Sequence, residues 1–288
     1  MIDIETKRQI SIQLTDILSH HLTKLTPVVV IHDGDQIIDH GSGTFLLIED
    51  LPVVVTAAHV IKNYLDDMIH LVGTFAPSDY LSITPLQKDF LGGDIGDSLD
   101  VGYLIFPREC INRFGIESFA TIDRLELFPQ RLSTDLTVFF GLPEVLHDQP
   151  YERADRFQPF MYVAGIEDDT DWSKPGDRQL ELKMEYPIIV KDTITGQDVQ
   201  THNPSGMSGG GIWRSYINST PSIYSASNSK MIGIGTTWDE SAGIIKANRI
   251  EAVVHLLSLR FPSLEKLLEC PTSPLHSDGN SAALRSRR

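Results

Sequence analysis

Short apolar segments bounded by turn residues recur along most of this chain. They are rich in β-branched and aromatic residues, and turn signals such as Asp33-Gly34 and Leu51-Pro52 separate them at intervals of about ten residues. The predicted strands cover residues 28–31, 45–48, 53–57, 101–106, 136–142, 160–166, 180–190, 210–214, 231–238 and 243–247. This spacing favours a barrel or sandwich over alternating β and α segments, and two sets of about six strands fit two similar barrels.

Segments with helical periodicity flank the predicted strands. Within residues 5–25 one apolar stripe is formed by Ile10, Leu14, Ile17, Leu18, Leu22 and Leu25, and Pro27 ends the helix. Residues 249–269 return to a helical pattern. We expect the first helix to pack on the body of the protein, with docking of a regulatory protein on the terminal helices as the alternative.

These patterns predict the domain organisation of the chain. We expect an N-terminal helical extension (1–26), a first β-barrel (27–132), a second β-barrel (133–248), C-terminal helices (249–270) and a disordered tail (271–288). Residues 27–248 would form one functional unit.

Composition restricts the partners and the location. Of 288 residues, 41% are hydrophobic and 22% are charged, so the core is ample without disulfide bonds. The net charge of −15 argues against nucleic acid or an anionic membrane as the main partner. Two cysteines, Cys110 and Cys270, are too few for a disulfide framework and suit a reducing compartment. Without a signal-peptide pattern or a long apolar run, we expect a cytoplasmic protein that does not enter a membrane.

A glycine-rich segment, residues 202–213, reads HNPSGMSGGGIW. Glycines occur where the backbone adopts unusual dihedral angles or approaches another group closely, so Ser208 can present an uncovered hydroxyl. The N–H groups of Gly206 and Ser208 can point at one spot, where an oxyanion would form. The segment alone fits equally well a glycine-rich turn that enters a strand.

Two further polar residues lie beside predicted strands. His59 follows the strand that ends in Thr56-Ala57-Ala58, and Asp100 precedes the apolar run Val101–Phe106. A carboxylate at the mouth of an apolar strand is costly unless it has a partner. Asp94, Asp97 and Asp100 lack the spacing of an ordered cation loop, so we expect no metal and no cofactor.

The motifs T-A-A-H, D-V-G-Y-L-I and G-M-S-G-G-G follow one another in this order, each beside a suitable strand. Together they resemble the trypsin-like serine peptidases of the chymotrypsin fold, from about residue 27 to residue 247. The resemblance implies two six-stranded antiparallel β-barrels with the active site between them. The structural disulfides of secreted members are absent, which fits an intracellular member, and we expect that member to be bacterial.

The resemblance assigns roles to individual residues of this chain. Ser208 would attack the scissile carbonyl, His59 would transfer the proton, and Asp100 would orient the imidazole. The oxyanion would be bound by the N–H groups of Gly206 and Ser208. Thr236, Thr237 and Trp238 match the strand that pairs with the polypeptide substrate.

Two positions bear on activation and selectivity. Met207 stands where many secreted members carry an Asp that captures a new N-terminus, so we expect activation without cleavage. His202 matches the base of the specificity pocket. It would favour acidic or amide side chains, or would instead be a loop residue hydrogen-bonded to backbone.

Three alternatives remain open at this point. Gly206 to Gly210 also matches the G-x-S-x-G nucleophile elbow of α/β-hydrolases, with Asp239 and His255 following in the required order. That fold needs a helix after the serine, and a β-type run follows here. A catalytically silent relative that holds a partner is the second alternative. The third is a peptidase that stays latent until a partner or stress signal arrives.

Overall fold

The computed structural model of the chain describes residues 4–72, 83–94, 98–128, 135–144, 159–164, 166–167, 180–192, 195–216 and 226–269. Asp97, Cys270 and the tail predicted to be disordered (271–288) lie outside the described residues.

The first half of the chain forms two sheets that are antiparallel apart from one short pairing. Their strands are β1 (Val28–Asp33), β2 (Gln36–Ser42), β3 (Thr44–Ile48), β4 (Leu51–Thr56), β5 (Ile69–Val72), β6 (Gln87–Gly92), β7 (Asp100–Ile105) and β8 (Ala120–Thr121). Hydrogen bonds join them in the orders β2-β1-β5 and β6-β7-β4-β3-β8, and only β3 and β8 run parallel.

The second half forms a seven-stranded antiparallel sheet and a separate hairpin. Its strands are β9 (Asp135–Gly141), β10 (Phe160–Ala164), β11 (Ile166–Glu167), β12 (Glu181–Glu185), β13 (Ile189–Lys191), β14 (Asp198–Gln200), β15 (Gly211–Tyr216), β16 (Lys230–Asp239) and β17 (Ile244–Arg249). The order is β10-β9-β15-β16-β17-β12-β11, with β13 and β14 paired apart from it. The strand predicted over 180–190 is therefore divided at Pro187, and its second part turns into the hairpin.

Helices lie at both ends and inside the first half. They are α1 (Ile4–Leu25), α2 (Ala58–Ile61), α3 (Glu109–Phe114), α4 (Ile250–Ser258) and α5 (Glu265–Leu268). No helix in the described part of the chain is both long and apolar enough to span a membrane.

One apolar cluster connects the two halves and the terminal helices. It contains Leu18 and Leu22 of α1, Tyr103 of β7, Trp213 of β15 and Val254 of α4, each no more than 1% exposed. Burial of such side chains stabilises a fold by about 1.5–3 kcal/mol each. The terminal helices therefore pack against both halves, and the apolar face of α1 is buried against the strands. The expected fold class, an all-β core with terminal helices, is confirmed.

Candidate active site

His59 is held at the end of β4 by close packing of small residues. It is the second residue of α2, and Ala57 and Ala58 before it are fully buried. A Cβ added to Gly93 would lie 2.8 Å from the Ala58 Cβ and 3.0 Å from the His59 nitrogen. Only a glycine lets the segment before β7 approach α2 this closely.

Asp100 binds His59 through both carboxylate oxygens. Its Oδ1 accepts the His59 backbone N–H at 2.9 Å, and its Oδ2 lies 2.6 Å from His59 Nδ1. A carboxylate that accepts from Nδ1 leaves Nε2 of the neutral ring free to accept a proton. The imidazole keeps 38% of its surface exposed, whereas the Asp100 side chain keeps 14%. The ring is therefore oriented from behind and open to the cleft.

The backbone around Ser208 lies against the strand end that carries His59. A Cβ on Gly209 would overlap the Thr56 hydroxyl and lie 2.9 Å from the Ala57 nitrogen. The Ser208 carbonyl accepts the Ser42 N–H at 2.8 Å, and Thr56 Oγ1 donates to the Ser42 carbonyl at 2.7 Å. Ser208 of the second half and His59 of the first half thus arise from adjacent backbone.

The Ser208 hydroxyl donates to the Thr236 carbonyl at 3.0 Å. A hydroxyl carries one proton, so in this conformation Ser208 does not donate to the His59 ring. Hydrogen bonds between a nucleophile and its base are often absent or long without substrate. Rotation of the Ser208 side chain is required before His59 can take its proton.

Several backbone groups of the loop before Ser208 are hydrogen-bonded. The Gly206 carbonyl accepts from the Ser42 hydroxyl at 2.9 Å, and the Met207 N–H donates to the Pro204 carbonyl at 2.9 Å. Gly206 has a φ of +85°. Among the described residues, the backbone N–H groups of Gly206 and Ser208 make no hydrogen bond. Two unpaired N–H groups two residues apart can bind a developing oxyanion.

The side chain of Met207 attaches this loop to the apolar core. This side chain is fully buried in an apolar cluster that includes Phe139, Tyr186 and Ile212. An Asp at this position would bring an unpaired carboxylate into that cluster. The loop is therefore held by apolar packing.

A small pocket of about 20 Å³ opens beside Ser208. It is lined by Phe139, Pro204, Ser208, Gly235, Thr236, Thr237, Trp238 and Ile245, so no ionisable side chain contributes to its walls. A Cβ on Gly235 would overlap the Phe139 ring, which lies directly under the strand there. The pocket is narrow, largely apolar and uncharged.

The strand β16 presents an open edge next to Ser208. Its ladder with β15 ends at the pair Gly211–Ile234, whereas β16 continues to Asp239 along β17. On the side away from β17, the stretch from Thr236 to Asp239 has no strand partner in the described part of the chain. An unpaired edge is a template for an extended peptide.

His202 lies at the surface, outside the residues that line this pocket. Its ring packs edge-to-face on Phe160 with centroids 5.2 Å apart, and its carbonyl accepts from the Tyr186 hydroxyl at 2.8 Å. Burial raises the pKa of Tyr186 and keeps the hydroxyl protonated as a donor. This placement fits the loop role that the sequence left open for His202.

Two buried polar residues at the site were not singled out by sequence. Ser42 bridges the Gly206 carbonyl and the Leu142 N–H through its hydroxyl. Asn248 of β17 accepts the backbone N–H of Asp100 at 2.8 Å. No local signal marked Asn248, because its strand also carries Lys246 and Arg249. The described residues hold no cluster of three or more potential metal ligands.

Comparison with solved structures identifies the fold. The chain is similar to a thermostable serine protease, AL20, from an extremophilic microorganism, with a TM-score of 0.52 and 8% identity over 83% of this chain and 98% of that one. It is also similar to an inactivated protease paralogue of the scabies mite, SMIPP-S-D1, with a TM-score of 0.53 and 9% identity over 85% and 94% of the two chains. No protein-family model and no curated protein sequence matches.

The chain therefore has the fold of the trypsin- and chymotrypsin-like serine proteases. The α/β-hydrolase alternative is wrong, because strand β15 and not a helix follows Ser208, and the sheets are antiparallel.

Proposed function

We propose that the protein is a serine-type endopeptidase that cleaves polypeptides through an acyl-enzyme. The observation that supports this proposal is the position of Ser208, which has two unpaired N–H groups beside it and lies on backbone adjacent to the strand end that carries the His59–Asp100 pair.

The proposed reaction begins with rotation of the Ser208 hydroxyl from the Thr236 carbonyl to His59 Nε2. Ser208 Oγ attacks the scissile carbonyl carbon while Nε2 takes its proton, and the tetrahedral oxyanion is bound by the N–H groups of Gly206 and Ser208. Asp100 stabilises the imidazolium that forms. His59 then protonates the leaving amine, and water releases the acyl group by the same steps.

The open edge of β16 supports an extended polypeptide as substrate. Main-chain hydrogen bonds along Thr236, Thr237 and Trp238 would align it with Ser208. A residue adjacent to the scissile carbonyl would place its side chain in the neighbouring pocket. The small volume and the apolar walls formed by Phe139 and Ile245 favour a small apolar side chain there.

Labelling with a fluorophosphonate probe tests the proposal. The wild-type chain should form a covalent adduct at Ser208, and Ser208→Ala and His59→Ala should lose about 10⁶ in turnover. The exposed Ser241→Ala is a matched control and should retain both. An unlabelled wild-type chain of native fold, with no peptide turnover, contradicts the proposal.

Intact mass of the labelled protein tests the expectation that follows from Met207. The adduct should have the mass of the complete 288-residue chain plus one probe. Reaction confined to N-terminally trimmed chains contradicts activation without cleavage.

A binding module without catalysis is the second candidate. The Ser208–Thr236 hydrogen bond favours it, since the hydroxyl is turned away from His59, and one structurally similar protein is an inactivated protease paralogue. Such a protein would keep its binding of a partner when Ser208 is replaced by Ala.

A latent peptidase is the third candidate, with a regulatory protein docked on the terminal helices. Because Leu18, Leu22 and Leu25 face inward, that protein would contact the outer surface of α1. Full activity of the purified chain without any added protein contradicts latency.

A further inference from the structure

The backbone that carries Asp100 is anchored by a residue of the opposite half. Asn248 lies on β17, 148 residues away, and its Oδ1 accepts the Asp100 N–H at 2.8 Å. Its Nδ2 donates to the carbonyl of Ser98 at 3.0 Å. The Asn248 side chain therefore forms hydrogen bonds with the peptide groups on both sides of Leu99, immediately before Asp100, whose carboxylate orients His59.

An amide side chain is suited to these two hydrogen bonds. The Asp100 N–H is only a donor and the Ser98 carbonyl is only an acceptor, so the partner must offer one acceptor and one donor from a short stem. Asn248 is 2% exposed, so both of its polar ends would lose hydrogen bonds to water without these partners. The two bonds also define which end of the amide faces which group.

Asn248 binds Asp100 at the end of β7, where few strand pairings fix the Asp100 backbone. Asp100 is the first residue of β7, opposite Gly92, the last residue of β6. The ladder with β4 begins further on, at the Thr56–Gly102 pair. The Asp100 N–H is bound by Asn248 and not by a strand of its own half. Small shifts of this peptide would move the carboxylate, which must meet His59 at 2.6 Å and 2.9 Å.

We propose that Asn248 is a positioning residue for the catalytic pair, fixing Asp100 so that the imidazole of His59 stays oriented only when the two halves are joined. This inference depends on the proposed peptidase function. Asn248 touches neither substrate nor the reacting atoms, and it acts through Asp100.

The experiment compares two variants of Asn248. Asn248→Leu keeps the number and branching of the side-chain heavy atoms and removes both hydrogen bonds, whereas Asn248→Asp keeps the acceptor for Asp100 and loses the donor to Ser98. Leu182→Ala is the matched control, because Leu182 is buried on the neighbouring strand β12, paired with the residue before Asn248, and contacts neither Ser98 nor Asp100 by a hydrogen bond. Thermal unfolding shows that each variant is folded. Turnover is normalised to the concentration of folded protein.

Asn248→Leu should lower kcat about 10- to 100-fold with little change in KM, as expected for a misplaced catalytic group. Asn248→Asp should lose less, and Leu182→Ala should lose stability while keeping kcat. Independently of turnover, proton NMR should show the downfield His59 Nδ1–H signal in wild type and in Leu182→Ala, and a weakened or lost signal in Asn248→Leu. Wild-type kcat and an unchanged signal in folded Asn248→Leu overturn the inference. Failure of the peptidase proposal is seen separately, as absent labelling of the wild type, and the NMR comparison remains decisive in that case.

Discussion

The hydroxyl of Ser208 donates to the carbonyl oxygen of Thr236 at 3.0 Å, so it is turned toward β16 and not toward His59. We expect this hydrogen bond to break on reaction. A crystal structure of the fluorophosphonate adduct should show Ser208 Oγ rotated from Thr236, with a phosphoryl oxygen between the N–H groups of Gly206 and Ser208. An adduct whose phosphoryl oxygen faces solvent contradicts the assignment of these two groups.

Replacement of Gly209 should destabilise the fold strongly. Gly209 has a φ of +87°, and a Cβ there would overlap the Ser42 carbonyl and the Thr56 hydroxyl. Gly34→Ala is the matched control, because Gly34 has a φ of +60° but nothing within 4 Å of an added Cβ. The control should lose only the backbone strain, about 1–2 kcal/mol of unfolding free energy. Denaturant unfolding measures the free energy of unfolding of both variants. An equal loss would show that the contact of Gly209 with Ser42 and Thr56 tolerates a side chain.

A charge in the pocket should change the side-chain preference of cleavage. Wild type should favour small apolar residues, because the pocket is small and Phe139, Trp238 and Ile245 form uncharged walls. Thr237→Asp should shift the preference toward Lys or Arg, since Thr237 lines the pocket, is exposed, and would present a carboxylate to the bound side chain. Profiling with a peptide library measures this change. His202→Ala is the control and should leave the preference unaltered, whereas an altered preference would restore the role predicted for His202 from the sequence.

Acid should weaken the docking of α1 through His21. Burial, together with the neighbouring Arg124, lowers the pKa of His21 from 6.5 to about 4. The neutral ring accepts from Arg124 Nη2 at 3.3 Å. The unfolded chain binds this proton near pH 6.5 and the folded chain only near pH 4, so stability is lost as the pH falls through that window.

The melting temperature therefore should fall more steeply between pH 7 and pH 5 in wild type than in His21→Asn, which has no ring to protonate. All other histidines are common to the two proteins and cancel in the comparison. Parallel declines would show that His21 does not couple α1 to the pH.

Much of the fold follows from local patterns. The strands around Val53–Thr56 and Val101–Ile105 are continuous apolar runs, and their turn residues mark the ends, so neighbours in the chain suffice to locate them. The division of the segment 180–190 was missed, because its apolar alternation continues past the point where Pro187 removes a backbone donor. The motifs around His59, Asp100 and Ser208 were equally local, since each is a short string beside a strand.

The sequence alone determined which residue types could do the chemistry and in what order they occur. The tertiary structure decided how these residues are arranged. Asn248 of the second half binds the Asp100 backbone of the first half, and the Ser42 hydroxyl binds the Gly206 carbonyl. Phe139 and Ile245 line the pocket. These contacts join residues that are tens to more than a hundred positions apart. Their partners are set by how the sheets pack, a property of the whole chain that no window of neighbouring residues contains.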